Sequence, residues 1–226
     1  MASSASPEAN SAPEPPALGD SFVAEGSRGA VLNAAARVFA ERGFVAPTVQ
    51  DLLTAAAVSR RTFYKSFGNK HEVLDALHAA AIGLLLSAAV MASREARTPL
   101  EHVEHVLDAY LTNVRRGGRL LLVLQGEASR EDSPLHARRA LAFATLTKLI
   151  RDGVLEHLGR AVDPYVIHGA LLGAEAIARR LIEEGDDDAR ATRVRASMLR
   201  LITATIFADD PTIAPLPELP RSPRPG

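Results

Sequence analysis

Between residues 27 and 208 a short acceptor side chain is followed directly by proline three times, at Thr98-Pro99, Ser133-Pro134 and Asp163-Pro164. An N-cap acceptor next to a ring that presets the first helical turn opens a helix at each place. Periodicity agrees. After Pro99, the residues Leu100, Val103, Val106, Leu107, Tyr110, Leu111 and Val114 share one face of a 3.6-residue repeat, and Gly117-Gly118 should stop it. A shorter apolar element follows from Arg119 to Gly126. The spacing then predicts a helix from Pro134 to about His157, and another from Pro164 to about Glu184 with Gly185 as its stop. The last helix begins within Asp186 to Asp188, whose charge suits an N-terminus, and carries Val194, Met198, Leu201, Ile202 and Thr205 on one side. No strand alternation or internal repeat interrupts the pattern. Apolar residues at 47% with aromatics at only 4%, and a predominance of strong helix formers, point the same way. The expected fold class is all-α.

The absence of cysteine excludes disulfide frameworks, thiolate metal sites and cysteine nucleophiles, and a reducing cytoplasm is the setting expected. Residues 1–26 are rich in Ala, Ser, Pro and acid and lack the basic flank and apolar stretch of a secretory signal. The longest apolar run, Ala79 to Met91, is shorter than the roughly 18 residues of a membrane span and reads as a buried helix, so no membrane partner is expected. Both ends read as low-complexity tails, 1–26 and a proline-rich 209–226.

Net charge is −1, but it is unevenly spread. Between residues 27 and 72, seven cations (Arg28, Arg37, Arg42, Arg60, Arg61, Lys65, Lys70) face three acids (Glu41, Asp51, Glu72), a local balance of +4. Such a compact basic block suits a nucleic-acid-binding module. Its local pattern gives the geometry. From Ser27 to Gly43 an amphipathic helix turns Val31, Leu32, Ala35, Val38 and Phe39 inward. Thr48, with Asp51 three residues on, makes a capping box for a short helix ending near Ala56. A tight turn at Ala57-Val58 leads to Ser59, which caps a second short helix through Phe67. Two short helices joined by so brief a turn form a helix-turn-helix. Phe63 and Phe67, one turn apart, should face the core with Val58. That sends Arg61 and Lys65 outward, with Thr62 and Tyr64 on the flanks. A forked Arg donor, a Lys and hydroxyls are what a major-groove reader needs. Asn69 and Glu72 form another cap, which places Lys70 and His71 in the first turn of a long helix carrying Val73, Leu74, Leu77, Ala81, Leu84 and Leu85.

In order and spacing, Gly43-Phe44, Thr48-Val49-Gln50-Asp51-Leu52, Val58-Ser59-Arg60-Arg61-Thr62-Phe63-Tyr64, Phe67 and Lys70 resemble the N-terminal signature of the TetR family of transcription regulators. The resemblance covers about 45 residues. It implies an N-terminal three-helix DNA-binding domain at 27–72 and a C-terminal helical ligand-binding and dimerisation domain at 73–208, about nine helices in all. It also implies that Thr48, Tyr64 and Lys70 hold the DNA backbone, while Ser59, Arg60, Arg61 and Thr62 lie in or beside the groove, with Lys65 on the same face. The implied partners are a palindromic double-stranded operator, a second copy of the chain and a small-molecule effector that releases a repressor from DNA. Activation, and architectural DNA binding without an effector, stay open. Two departures stand out: Ala57 replaces the usual turn glycine, and Arg61 occupies a position where glycine is frequent.

Elsewhere the residues read as structural. Glu101, His102, Glu104 and His105 resemble a metal cluster but lie on a solvated face, and Asp186 to Asp188 cap a helix. No nucleophile, metal or phosphate-loop motif supports an enzyme, and no cofactor is implied. Tyr110, Gln125, Glu127, Phe143 and His168 are the polar or aromatic residues in apolar helices that could line an effector pocket. Gly169, Ala170, Gly173 and Ala174, with Met198, Leu201 and Ile202 of the last helix, are the expected dimer surface, because the family pairs these two helices.

Overall fold

The computed structural model describes residues 26–207, so both tails expected from the sequence lie outside the described residues. Eight helices follow one another: α1 (Ser27–Arg42), α2 (Val49–Ala56), α3 (Arg60–Tyr64), α4 (Lys70–Glu95), α5 (Pro99–Ala128), α6 (Leu135–Leu158), α7 (Pro164–Glu183) and α8 (Asp188–Ile206). Their starts follow from the caps. Thr98 accepts from the Glu101 amide at 3.1 Å, Asp163 from Tyr165 at 2.7 Å and Asp187 from Arg190 at 2.8 Å. At α6 Ser133 accepts from the Leu135 amide at 3.2 Å, and Pro134 itself takes the cap position.

Two boundaries differ from expectation. The Gly117-Gly118 pair does not end its helix. Only Gly118 leaves helical geometry, at φ 45°, and the chain resumes helix as a second arm of α5. Glycine permits this local reversal without a steric penalty, so the stop becomes a kink. Counting the two arms separately gives nine straight segments among the described residues. The second difference is α3, which stops at Tyr64 and not at Phe67, although a turn keeps the Phe67 amide 3.0 Å from the Phe63 carbonyl.

The first core joins α1, α2 and α3 to the start of α4 and to the second arm of α5. Phe39, Leu52, Phe63, Val73 and Leu77 are all fully buried there, together with Leu120, Leu124 and Leu135. The helix-turn-helix is therefore stabilised partly by residues far along the chain, and a boundary at residue 72 falls inside the first turn of α4. A second core packs α5, α7 and α8 through Leu107, Ala178, Leu181 and Met198, and a third gathers Val154, Ile167, Ile206 and Phe207. Ion pairs and hydrogen bonds tie the halves: Arg138 binds Asp75 at 2.9 Å, and Arg119 donates to the Ala40 carbonyl at 3.3 Å.

Over Lys70–Ala92, α4 is long and apolar enough to cross a membrane by length and composition alone. In the fold it lies against α1, α5 and α6. The run from Ala79 to Met91, expected as a buried helix, is half-buried to exposed instead, with Val90 and Met91 at 49% and 59% exposure.

Candidate nucleic-acid interface

Each helix of the reading module is fixed by a local network. Asp51 closes the capping box on Thr48. One carboxylate oxygen accepts from the Thr48 amide at 2.7 Å and from its hydroxyl at 2.6 Å, and the other from Arg42 at 2.9 Å. The Thr48 hydroxyl and then Arg42 hold this carboxyl well below the usual carboxylate range. Between α2 and α3 the chain turns on Ala57, at φ 52° and ψ 39°, the left-handed conformation that glycine tolerates best. Ser59 caps α3, accepting from the Thr62 amide at 3.1 Å, with its hydroxyl 2.8 Å from that of Thr62.

Phe63 is fully buried and Phe67 nearly so, their rings 5.8 Å apart, and Arg28 stacks 4.6 Å over Phe67. This anchoring turns Arg61, Tyr64 and Lys65 to solvent, with Tyr64 half exposed and edge-on to Phe63. The structure thus brings Ser59, Arg60, Arg61, Thr62, Tyr64 and Lys65 onto one element, and among the described residues the side chains of Arg61 and Lys65 have no hydrogen bond or ion pair. Arg60, Ser59, Thr48 and Lys70 are already engaged. Arg60 donates to Gln50 at 3.2 Å, and the Ser59 and Thr48 hydroxyls serve as caps. Lys70, half-buried, donates to the carbonyls of Phe44, Val45 and Pro47 at 3.1, 2.8 and 2.9 Å. Gln50, which bridges to Arg60 and lines an open groove of about 320 Å³ between α2 and α3, was not singled out from sequence. Its position two residues after a cap, on the polar side of α2, was the available signal.

The pocket residues divide. Phe143 lies under the Arg139 guanidinium at 4.5 Å and meets the His168 ring at 5.3 Å, and Arg139 pairs with Glu175 at 2.5 Å. Burial, and then the charge of Glu175, push the Tyr110 hydroxyl above its ordinary range, which places it by the same pair. Gln125 and Glu127 sit on the far arm of α5, beyond the kink. His168 is exposed.

The dimer surface needs correction. Ala170, Ala174 and Met198 are covered by their own subunit, inside or beside the α7–α8 core, so they cannot meet a partner. Gly173 faces α8 of the same chain, where a Cβ would come within 2.8 Å of Leu201. Gly169 is exposed, while Leu201 and Ile202 are half-buried. The open apolar residues of α7 are Tyr165, Val166 and Leu172, at 87%, 42% and 38% exposure, none of them singled out from sequence. The helical repeat of 165, 169 and 172 was the legible sign. Asp187 caps α8 as expected, while Asp186 and Asp188 bind Arg115 at 2.9 and 3.0 Å. His105 turns to the Ala92 carbonyl at 3.3 Å, half-buried where a solvated face was expected.

Residues 31–77 match the model of the bacterial regulatory proteins of the tetR family. Among curated relatives, the repressor KstR2 of Mycobacterium tuberculosis is 29% identical over 103 residues, 46% of this chain and 52% of KstR2. The matched stretch thus spans about half the length of that relative. Among solved structures, the fatty acid degradation regulator FadR of Bacillus halodurans superposes with a TM-score of 0.68 at 17% identity, over 81% of this chain and 96% of FadR. AibR, solved with isovaleryl coenzyme A and operator DNA, superposes with a TM-score of 0.59 at 18% identity, over 78% of this chain and 97% of AibR. Residues 31–77 thus carry the DNA-binding module of the TetR family, and the helical architecture behind that module is similar in fold to solved TetR-family regulators.

Proposed function

We propose that the protein is a dimeric transcription repressor that reads a palindromic operator with α3 and is released by a small-molecule effector. One observation carries the reading: Phe63 and Phe67 are buried while Arg61, Tyr64 and Lys65 stand exposed on the same short element. Arg61 can present a planar fork to guanine, Tyr64 and Lys65 can hold phosphates, and Ser59, Arg60 and Thr62 flank them. Two copies related by a two-fold axis would place their readers in successive major grooves, about 34 Å apart. The exposed Tyr165, Val166 and Leu172, continued by Gly169 and the half-buried Leu201 and Ile202, supply an apolar face for that pairing.

The effector reading draws support from unsatisfied polar atoms buried among the helices behind the reader. His78 Nδ1, Gln125 Oε1, Arg139 Nε and Thr147 Oγ1 have no hydrogen-bond partner among the described residues. With Tyr110, Phe143 and His168 they are the groups proposed here to hold a molecule with an apolar body and hydrogen-bonding groups, together with Glu127, two residues from Gln125 in sequence. The AibR complex, with an acyl thioester and DNA together, illustrates such a partnership in a protein of the same fold. Release follows if the effector favours a state whose reader spacing no longer fits the operator. The half-buried stretch of α4 from Ala79 onward runs from the reader into this region. A cytoplasmic setting fits this function.

A competition shift assay at physiological salt tests the reading, with duplexes recovered from the source genome set against random duplex. A regulator prefers its operator by about 10³-fold or more. Equal affinity for both would favour an architectural DNA-binding protein and refute the proposal.

A further inference from the structure

We propose that Lys70 is a positioning residue of the DNA interface, one that clasps segment 44–47 and thereby fixes where α2 begins, and that it does not itself hold a phosphate. This rests on the DNA-binding reading above. The Lys70 ammonium has three protons, and three carbonyls converge on it: Phe44 at 3.1 Å, Val45 at 2.8 Å and Pro47 at 2.9 Å. A phosphate oxygen would have to displace one of them. The cation also lies 4.8 Å over the Phe44 ring, itself buried edge-on against Phe39 at 5.4 Å and His71 at 5.1 Å. Head and stem are thus engaged from several sides, unlike Lys65, which is exposed.

The clasped segment runs directly into Thr48, the N-cap of α2. Where α2 begins decides where Gln50 lies, and Gln50 holds Arg60 of α3 at 3.2 Å. Lys70 is also the first residue of α4, the helix that leaves the reader for the rest of the molecule.

The test compares Lys70→Arg and Lys70→Met in the full chain. Binding to one fixed promoter duplex is followed by anisotropy from about 50 to 200 mM salt, and amide exchange is measured without DNA. A planar guanidinium retains the charge but cannot converge on three carbonyls about one point. Both variants should therefore bind at least about tenfold more weakly than the parent, each with a nearly parental salt slope, and amides at 44–50 should exchange faster in both. If Lys70 were a phosphate ligand, Lys70→Arg would bind like the parent, Lys70→Met would lose about 0.9 of the salt slope, and exchange would be unchanged. That result overturns the proposal. Should Lys70→Met fail to fold, the Arg variant decides alone. If the parent binds no DNA, the regulatory reading falls, and parental exchange in the Arg variant would still dispose of the clasp.

Discussion

Replacing Ala57 by glycine should stabilise the protein. Ala57 sits at φ 52° and ψ 39°, closing α2 while the Val58 amide reaches back 3.2 Å to the Leu53 carbonyl. For an L-residue the left-handed region costs roughly 1–2 kcal/mol, because Cβ crowds the carbonyl that follows. Glycine escapes this penalty but loses roughly 0.5–1 kcal/mol more backbone entropy on folding. The alanine side chain is exposed, so little packing is lost with its methyl. The net gain lies between about 0 and 1.5 kcal/mol, centred on ~0.75 kcal/mol, which for a chain of this size raises the melting temperature by roughly 1.5–3 °C. Urea unfolding followed by circular dichroism should show a higher midpoint at unchanged slope. Gly43 is the internal control, because at φ 72° and ψ −179° it occupies a region that only glycine populates. Gly43→Ala should move the midpoint the other way, by about 1–3 kcal/mol. If Ala57→Gly lowered the midpoint, the turn would not be strained as described, and its departure from the family pattern would need another cause.

Other outcomes follow from the cores and the titrating groups. Phe63→Ala, at a fully buried ring in the centre of the first core, should cost about 3–5 kcal/mol in urea unfolding and abolish DNA binding. His78 is buried, and that burial, helped by the charge of Arg138, lowers its pKa from 6.5 to about 4. Below pH 6.5 the unfolded chain takes a proton that the folded one refuses, so stability should fall between pH 6.5 and 4. His78→Leu should flatten the urea midpoint over that interval, and an unchanged slope would clear His78 of the effect. Leu172→Arg, on the exposed apolar face of α7, should leave the melting temperature within a few degrees while shifting sedimentation from dimer to monomer.

How much of this was legible in the sequence depended on the range of the interactions involved. Cap residues act on amides two or three positions away, so Thr48, Thr98 and Asp163 announced their helices accurately. The aromatic pair Phe63 and Phe67 likewise sorted the faces of the reader from spacing alone. What failed to show was set by distant partners. Lys70 reads as an exposed first-turn cation, and only the folded chain brings three carbonyls from 23 to 26 residues earlier onto its ammonium. Ala170 and Ala174, with Gly169 and Gly173, read as a surface stripe because small residues invite a neighbouring helix, and periodicity does not say whether that helix is the chain's own or a partner's. Gly118 was read as a terminator, since a local rule cannot foresee that the second arm of α5 has α1 to pack upon.

Selecting bound duplexes from a randomised pool with the parent and with Arg61→Ala decides whether α3 reads bases through the side chain that Phe63 and Phe67 turn outward. If it does, the variant still enriches a two-fold symmetric site but loses its preference at one base pair in each half, weakening the best duplex by about 1–3 kcal/mol. The same enriched sequence at every position, with the same affinity, would contradict it.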